Sequence, residues 1–265
     1  MKLSTVSEVV RDLQVAIVSR SPFSMIRFND GGLKVMKRFI DGTTDYSTSR
    51  QEGIPHFFFK NLIKSWINSA NEADYIDSPE FYFIEKTHKK RGKTSPDNWK
   101  LLSQWKEIYS EIGININRKF CSPEMGILLF AENARHNLIE TIRHRSICCI
   151  SNYYRVDRIL SRHTRSVTVK LIPGFFGNHY DVSYDSIIDE IRKEANDYDL
   201  WILASGELGR IYSGEIRRNG GRSIDVGKVV DAWVTRRIDK RMSTMCCFSD
   251  NNELAFQFGN GDEIE

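Results

Sequence analysis

Short apolar runs alternate with amphipathic stretches along this chain, and the hydrophobic period changes at small polar turns. Val9, Val10, Leu13, Val15, Ala16 and Ile17 give a helical face ending by Ser19, behind a capping box at Thr5-Val6-Ser7-Glu8. Ser21-Pro22 breaks that helix; residues 23–28 read as a strand and 33–40 as a helix stopped by Asp41-Gly42. Residues 53–70 predict a longer helix whose Phe57, Phe58, Phe59, Leu62, Ile63, Trp66 and Ile67 suit a core. A strand at 81–84, a basic loop at 86–96, a helix at 98–110, an extended piece at 115–120 and a mainly helical stretch at 128–144 follow. The second half is more regular. Strands at 146–151, 166–172, 199–204 and 222–226 alternate with helices at 154–161, 183–195 and 207–218. This pattern predicts βαβ units and an α/β, Rossmann-like, mostly parallel sheet flanked by helices. Right-handed crossovers then bring the strand ends to one edge, where such folds bind ligands.

Composition narrows the picture. The 265 residues suffice for one domain, with an N-terminal part over 1–145, βα units over 146–235 and a C-terminal extension over 236–265. Hydrophobic content of 40% and charged content of 28% are those of an ordinary globular chain. A net charge of +3 does not argue for a nucleic-acid partner, although basic residues cluster at 88–93 and 236–241. The five cysteines are odd in number and show no CxxC spacing, which speaks against a disulfide framework or a structural zinc site. Cys148 and Cys149, adjacent on a strand, should point to opposite faces as small buried hydrophobes. Neither a signal-peptide pattern nor an apolar run of membrane-spanning length is present, so a cytoplasmic location is expected.

Chemistry concentrates at two turns. Arg27-Phe28-Asn29-Asp30-Gly31-Gly32 runs from an apolar strand into a glycine pair, and Ser205-Gly206-Glu207-Leu208-Gly209 does the same after 199–204. Asp225-Val226-Gly227 then closes the unit. Strand ends that open helices present free backbone N–H groups, which hold anions and phosphates above all.

These segments resemble the glycosyltransferases of the GT-D fold, whose Arg-Phe-Gly-Asp-Gly-Glu segment follows an early strand. Here it stands as Arg27-Phe28-Asn29-Asp30-Gly31-Gly32. The family's late glycine turn, helix and Asp-Ile-Gly strand end are similar to Ser205-Gly206-Glu207, the helix to Arg218, and Asp225-Val226-Gly227, with Asp231 shortly after. Its proline-and-asparagine loop and Tyr-x-x-Ile resemble Pro173, Asn178 and Tyr184-Asp185-Ser186-Ile187. The resemblance covers roughly 20–40 and 146–235. It implies a nucleoside-diphosphate-sugar donor, a glycan or glycosylated acceptor, and Mn²⁺ or Mg²⁺ held by an Asp-x-Glu pair. Gly32 replaces the second carboxylate, so Asp30 alone would anchor a weakly held ion. The metal-free alternative has Asp30 on a sugar or ribose hydroxyl, with cations such as Arg27 offsetting the diphosphate.

Glycosyl transfer needs leaving-group charge stabilised, an acceptor aligned and a proton accepted. The resemblance and predicted positions make Arg27, Asn29, Asp30, Gly31, Gly32, Ser205, Gly206, Glu207, Asp225 and Gly227 the donor-binding set. Asp30, Glu207, His179 and Asp231 are the catalytic candidates, and the choice of base stays open. Two other classes fit a parallel sheet: a methyltransferase-like nucleotide-cofactor enzyme, and a non-catalytic module binding anionic polymers. The Ser205–Gly209 turn is not the GxGxxG of a dehydrogenase.

Overall fold

The computed structural model describes residues 4–42, 59–77, 103–121, 125–129, 138–173, 179–227, 229–230 and 234, with the backbone alone for 29–31, 59, 127–128 and 139. The expected strand at 81–84, the loop at 86–96, both basic clusters, Asn178, Asp231 and the extension at 236–265 lie outside these residues.

Helix α1 (Val6–Ser19) carries the expected capping box: Thr5 Oγ1 accepts from Glu8 N–H, and Glu8 reaches back to Thr5 N–H. Strand β1 (Phe23–Ile26) is followed by α2 (Asn29–Ile40), α3 (Phe59–Glu72), β2 (Tyr75–Asp77), α4 (Trp105–Glu111) and β3 (Phe120–Cys121). Next come α5 (Met125–Leu128), α6 (Leu138–Ile142), β4 (Ser146–Ser151), α7 (Val156–Leu160), β5 (Ser166–Leu171) and α8 (His179–Glu194). Strand β6 (Leu200–Ala204), a single 3-10 turn (Gly206–Leu208), α9 (Gly209–Arg218) and β7 (Arg222–Asp225) complete the described order.

All seven strands pair in parallel in the order β3-β2-β1-β7-β6-β4-β5. The N-terminal strand thus belongs to the same sheet as the βα units. Parallel sheets are covered on both faces, which is why β1, β4 and β7 are buried along their whole length. One core lies between the sheet and α1, α5, α6 and α7; the other lies under α2, α3, α4, α8 and α9. Cys148 joins the second core and Cys149 the first, both fully buried and unpaired, as the period of a strand requires. Gly214 of α9 meets α3 so closely that a Cβ there would overlap Ser69 Oγ. At the β5 edge, Lys170 bonds Glu190 at 2.5 Å and Glu194 at 2.8 Å, fastening the strand to α8.

Several boundaries differ from expectation. Helix α2 starts at Asn29, not at 33, so the Asp-Gly-Gly segment forms its first turn and β1 stops at Ile26. Strand β2 was not expected: three residues are too few to show alternation. Within the stretch at 128–144 the described residues show the end of α5 at Leu128 and helix α6 at Leu138–Ile142, with 130–137 outside them, and α8 begins at His179 rather than 183. No helix among the described residues is long and apolar enough to cross a membrane.

Candidate functional site

The strand order reverses between β1 and β7: from β1 the chain moves outward through β2 and β3, while β6, β4 and β5 lie on the other flank. Ligand crevices of parallel sheets open beyond the strand C-termini at such a reversal. Arg27 and Phe28 lie past the last paired residue of β1, so their backbone groups need other partners. Charged side chains provide them. Phe28 N–H donates to Asp77 Oδ1 at 2.7 Å, while Arg210 donates from Nε to the Arg27 carbonyl at 2.8 Å and from Nη2 to the Phe28 carbonyl at 2.9 Å. The Phe28 carbonyl also accepts Gly32 N–H at 2.8 Å, the first helical bond of α2. Arg27 crosses to β7, its Nη1 donating to the Val226 carbonyl at 2.8 Å.

Glycine at 227 is required twice over. Its φ is +54°, and a Cβ would stand 2.6 Å from Arg27 Nη1. Its N–H donates to Asp225 Oδ1 at 3.1 Å, fixing that carboxylate at the end of β7. At the end of β6, Trp66 Nε1 holds the Glu207 carbonyl at 3.2 Å. A Cβ on Gly209 would lie 3.0 Å from Ser205 Oγ and 3.7 Å from Asp225 Oδ2, so the β6 turn and the β7 end are in contact. Neither α2 nor the 3-10 turn carries a side-chain cap. Two helix starts therefore leave backbone N–H groups for other acceptors at this edge.

Electrostatically the edge is crowded. Burial pushes Asp225 up to about 6, an effect that Asp77 adds to and that Arg27, Arg210 and the Gly227 amide oppose. Burial likewise raises Glu207, opposed by Arg210. Arg210 lies over the Trp66 ring at 4.5 Å and the Phe28 ring at 5.3 Å.

Arg27, Gly32, Ser205, Gly206, Glu207, Asp225 and Gly227 thus converge on one sheet edge, together with the α2 backbone that carries Asn29, Asp30 and Gly31. His179 stands instead in the α8–α9 interface, its Nε2 3.1 Å from Tyr212 Oη, and burial lowers it to about 4. Asp77 and Arg210 were missed from sequence. Asp77 ends an unanticipated three-residue strand, and Arg210 reads as an ordinary charge in a helix. The signal for Arg210 was its setting between Gly209 and Ile211-Tyr212, in a helix buried on every side over its first six residues.

A groove of about 580 Å³ lies at the opposite edge, against α1 and the starts of β1, β2 and β3. Its carboxylates are already matched: Asp12 accepts from Tyr75 Oη at 2.6 Å and Lys119 at 2.8 Å, and Asp74 pairs with Arg217. The carboxyl edge, with its uncapped helix starts, is the better candidate.

The chain matches no protein-family profile and no curated protein sequence. Its fold does match solved structures. A glycosyltransferase (DUF1792) from Streptococcus sanguinis superposes with a TM-score of 0.52 at 14% identity, over 89% of this chain and 85% of that one. A structure of domain of unknown function 1792, described as having a distinct glycosyltransferase fold, gives 0.57 at 14% identity, over 89% and 82%. This chain is an α/β protein with the glycosyltransferase fold of those structures.

Proposed function

We propose that the protein transfers a sugar from a nucleoside-diphosphate donor to a glycan or glycosylated acceptor. The observation that carries this reading is the meeting of the β1, β6 and β7 ends, with two uncapped helix starts and the guanidinium groups of Arg27 and Arg210. Such an edge suits an anionic diphosphate: amides and guanidinium groups set beforehand stabilise charge as it develops on the leaving group. Asp30, in the first turn of α2, is proposed to touch donor or acceptor. Burial raises both Glu207 and Asp225 and so favours their protonated forms relative to an exposed carboxylate. With His179 engaged by Tyr212, Asp30, Glu207 and Asp231 remain the proposed bases.

The GT-D resemblance also implies a divalent ion. Among the described residues no cluster of three His, Cys, Asp or Glu occurs, and Asp30 is described by its backbone alone. Nor could a second carboxylate simply be added at Gly32, where a Cβ would stand 2.9 Å from Phe28 Cβ and 3.3 Å from Arg210 Nη2. No step is therefore routed through a metal, and Asp30 stands only as a proposed weak ligand.

The test is a donor screen, with and without chelator, read by thermal stabilisation and by product mass. Stabilisation by a nucleoside diphosphate, with turnover of its sugar conjugate, supports the reading. Response to S-adenosylmethionine or NAD alone would replace it with a different nucleotide-cofactor chemistry. Salt-sensitive binding of anionic polymers without donor turnover would make the protein a binding module.

A further inference from the structure

Arg210 is 6% exposed, yet its hydrogen bonds from Nε and Nη2 go to neutral carbonyls. No carboxylate lies within ion-pair distance of it among the described residues. Its remaining nitrogen, Nη1, is buried and has no hydrogen-bond partner among the described residues. An interior guanidinium without a direct counter-ion is costly, and an unmet N–H adds to that cost. The ring faces of Trp66 and Phe28 offset only part of it. The nearby Ser205 Oγ is also buried and unpartnered. These groups lie where α2 and the 3-10 turn present uncapped starts, and one Arg210 nitrogen is 3.3 Å from the place a Cβ would take on Gly32. Arg210 Nη1 and Ser205 Oγ are two donors without an acceptor among the described residues, and an oxyanion is the complement of such a pair.

We propose that Arg210 is an anion-binding residue of this site, donating from Nη1 to a diphosphate oxygen while Nε and Nη2 hold the Arg27–Phe28 turn. The proposal rests on the nucleotide-sugar reading and deepens it by naming the group that meets the phosphates. The turn and the phosphate are then held by one planar fork, so ligand binding and placement of the α2 start are coupled through a single side chain.

The experiment is calorimetric titration of wild type, Arg210→Gln and Arg210→Lys with UDP, GDP, CDP, ADP and dTDP, and with the matching nucleosides. The informative quantity is the ratio of diphosphate to nucleoside affinity. In Arg210→Gln that ratio falls by about 10- to 100-fold, as loss of a charged hydrogen bond to the phosphates predicts. Arg210→Lys, which keeps the charge but loses the fork, falls in between. A purely structural Arg210 would weaken nucleoside and diphosphate alike and leave the ratio unchanged, which overturns the proposal with the nucleotide-sugar reading intact. If no nucleotide binds the wild type, that reading fails and the proposal fails with it. Should both variants fail to fold, a wild-type crystal structure with the bound diphosphate decides: a phosphate oxygen within about 3.2 Å of Nη1 supports the assignment and its absence overturns it.

Discussion

Arg27 and Val226 are separated by 199 positions in sequence, yet Arg27 Nη1 donates to the Val226 carbonyl at 2.8 Å. That one bond ties the exit of β1 to the exit of β7. It brings a motif near one end of the chain and a motif near the other together at one sheet edge.

Asp77 supports this edge from the β2 side. It is fully buried and accepts the Phe28 N–H. Replacing it with Ala removes that acceptor and is expected to cost about 1–3 kcal/mol in urea denaturation. Asp77→Asn, which keeps an oxygen in place, should cost clearly less. Equal losses for the two variants would show that the Phe28 bond is not what Asp77 supplies.

Gly32 is a packing position. A Cβ there meets Phe28 Cβ and an Arg210 nitrogen, so Gly32→Ala should lower stability by about 1–3 kcal/mol despite alanine's better helix propensity. Gly32→Glu should be destabilised at least as much and should gain no stimulation by Mn²⁺. A stable Gly32→Glu protein whose activity rises with Mn²⁺ would return the missing carboxylate to the mechanism.

Asp225 and His179 impose opposite pH slopes on stability. The Asp225 value is raised from 3.8 to about 6, so its contribution is fully present below pH 3.8 and is lost as pH rises through 6, by up to about 3 kcal/mol. His179 is lowered from 6.5 to about 4, so its contribution is present above 6.5 and is lost as pH falls towards 4. In the wild type the two partly cancel between pH 4 and 6. Asp225→Asn should unmask a stability that rises with pH across that window, and His179→Asn one that falls. Urea titrations at pH 4, 5, 6 and 7 measure both; superimposable pH profiles for wild type and Asp225→Asn would refute the assignment.

Asp30→Ala should abolish sugar transfer while leaving the melting temperature within a few degrees, because the residue is proposed to act on substrate. Full activity in this variant would remove Asp30 from the reaction.

Periodicity showed the second half of the sheet well because β4 and β6 are continuous apolar runs followed by helices of regular length. The glycine turns at Gly31-Gly32, Gly206 and Gly227 were readable for the same reason, since each punctuates a strand end. The β2 and β3 strands were harder to see: at three and two residues they show no period and take their place from neighbouring strands. Asp77 escaped because nothing local marks it as buried, and Arg210 because Gly209 and Ile211-Tyr212 beside it are a weak local cue. Their environment is assembled from β1, α3 and the β6–α9 turn, and a contact across 183 positions leaves no trace in a local window.

The strand numbered last among those described occupies the slot directly beside the first, with β6 on its other side. Until residues 222–225 arrive, the sheet is two separate blocks, each with a raw inner border of unpaired N–H and C=O groups. Closing the sheet thus needs the longest-range strand pairing among the described residues, a slow kind of step that leaves those borders open to other chains meanwhile. A polypeptide shortened just ahead of Arg222 would keep both borders exposed, and self-association rather than a smaller soluble fold is the expected fate.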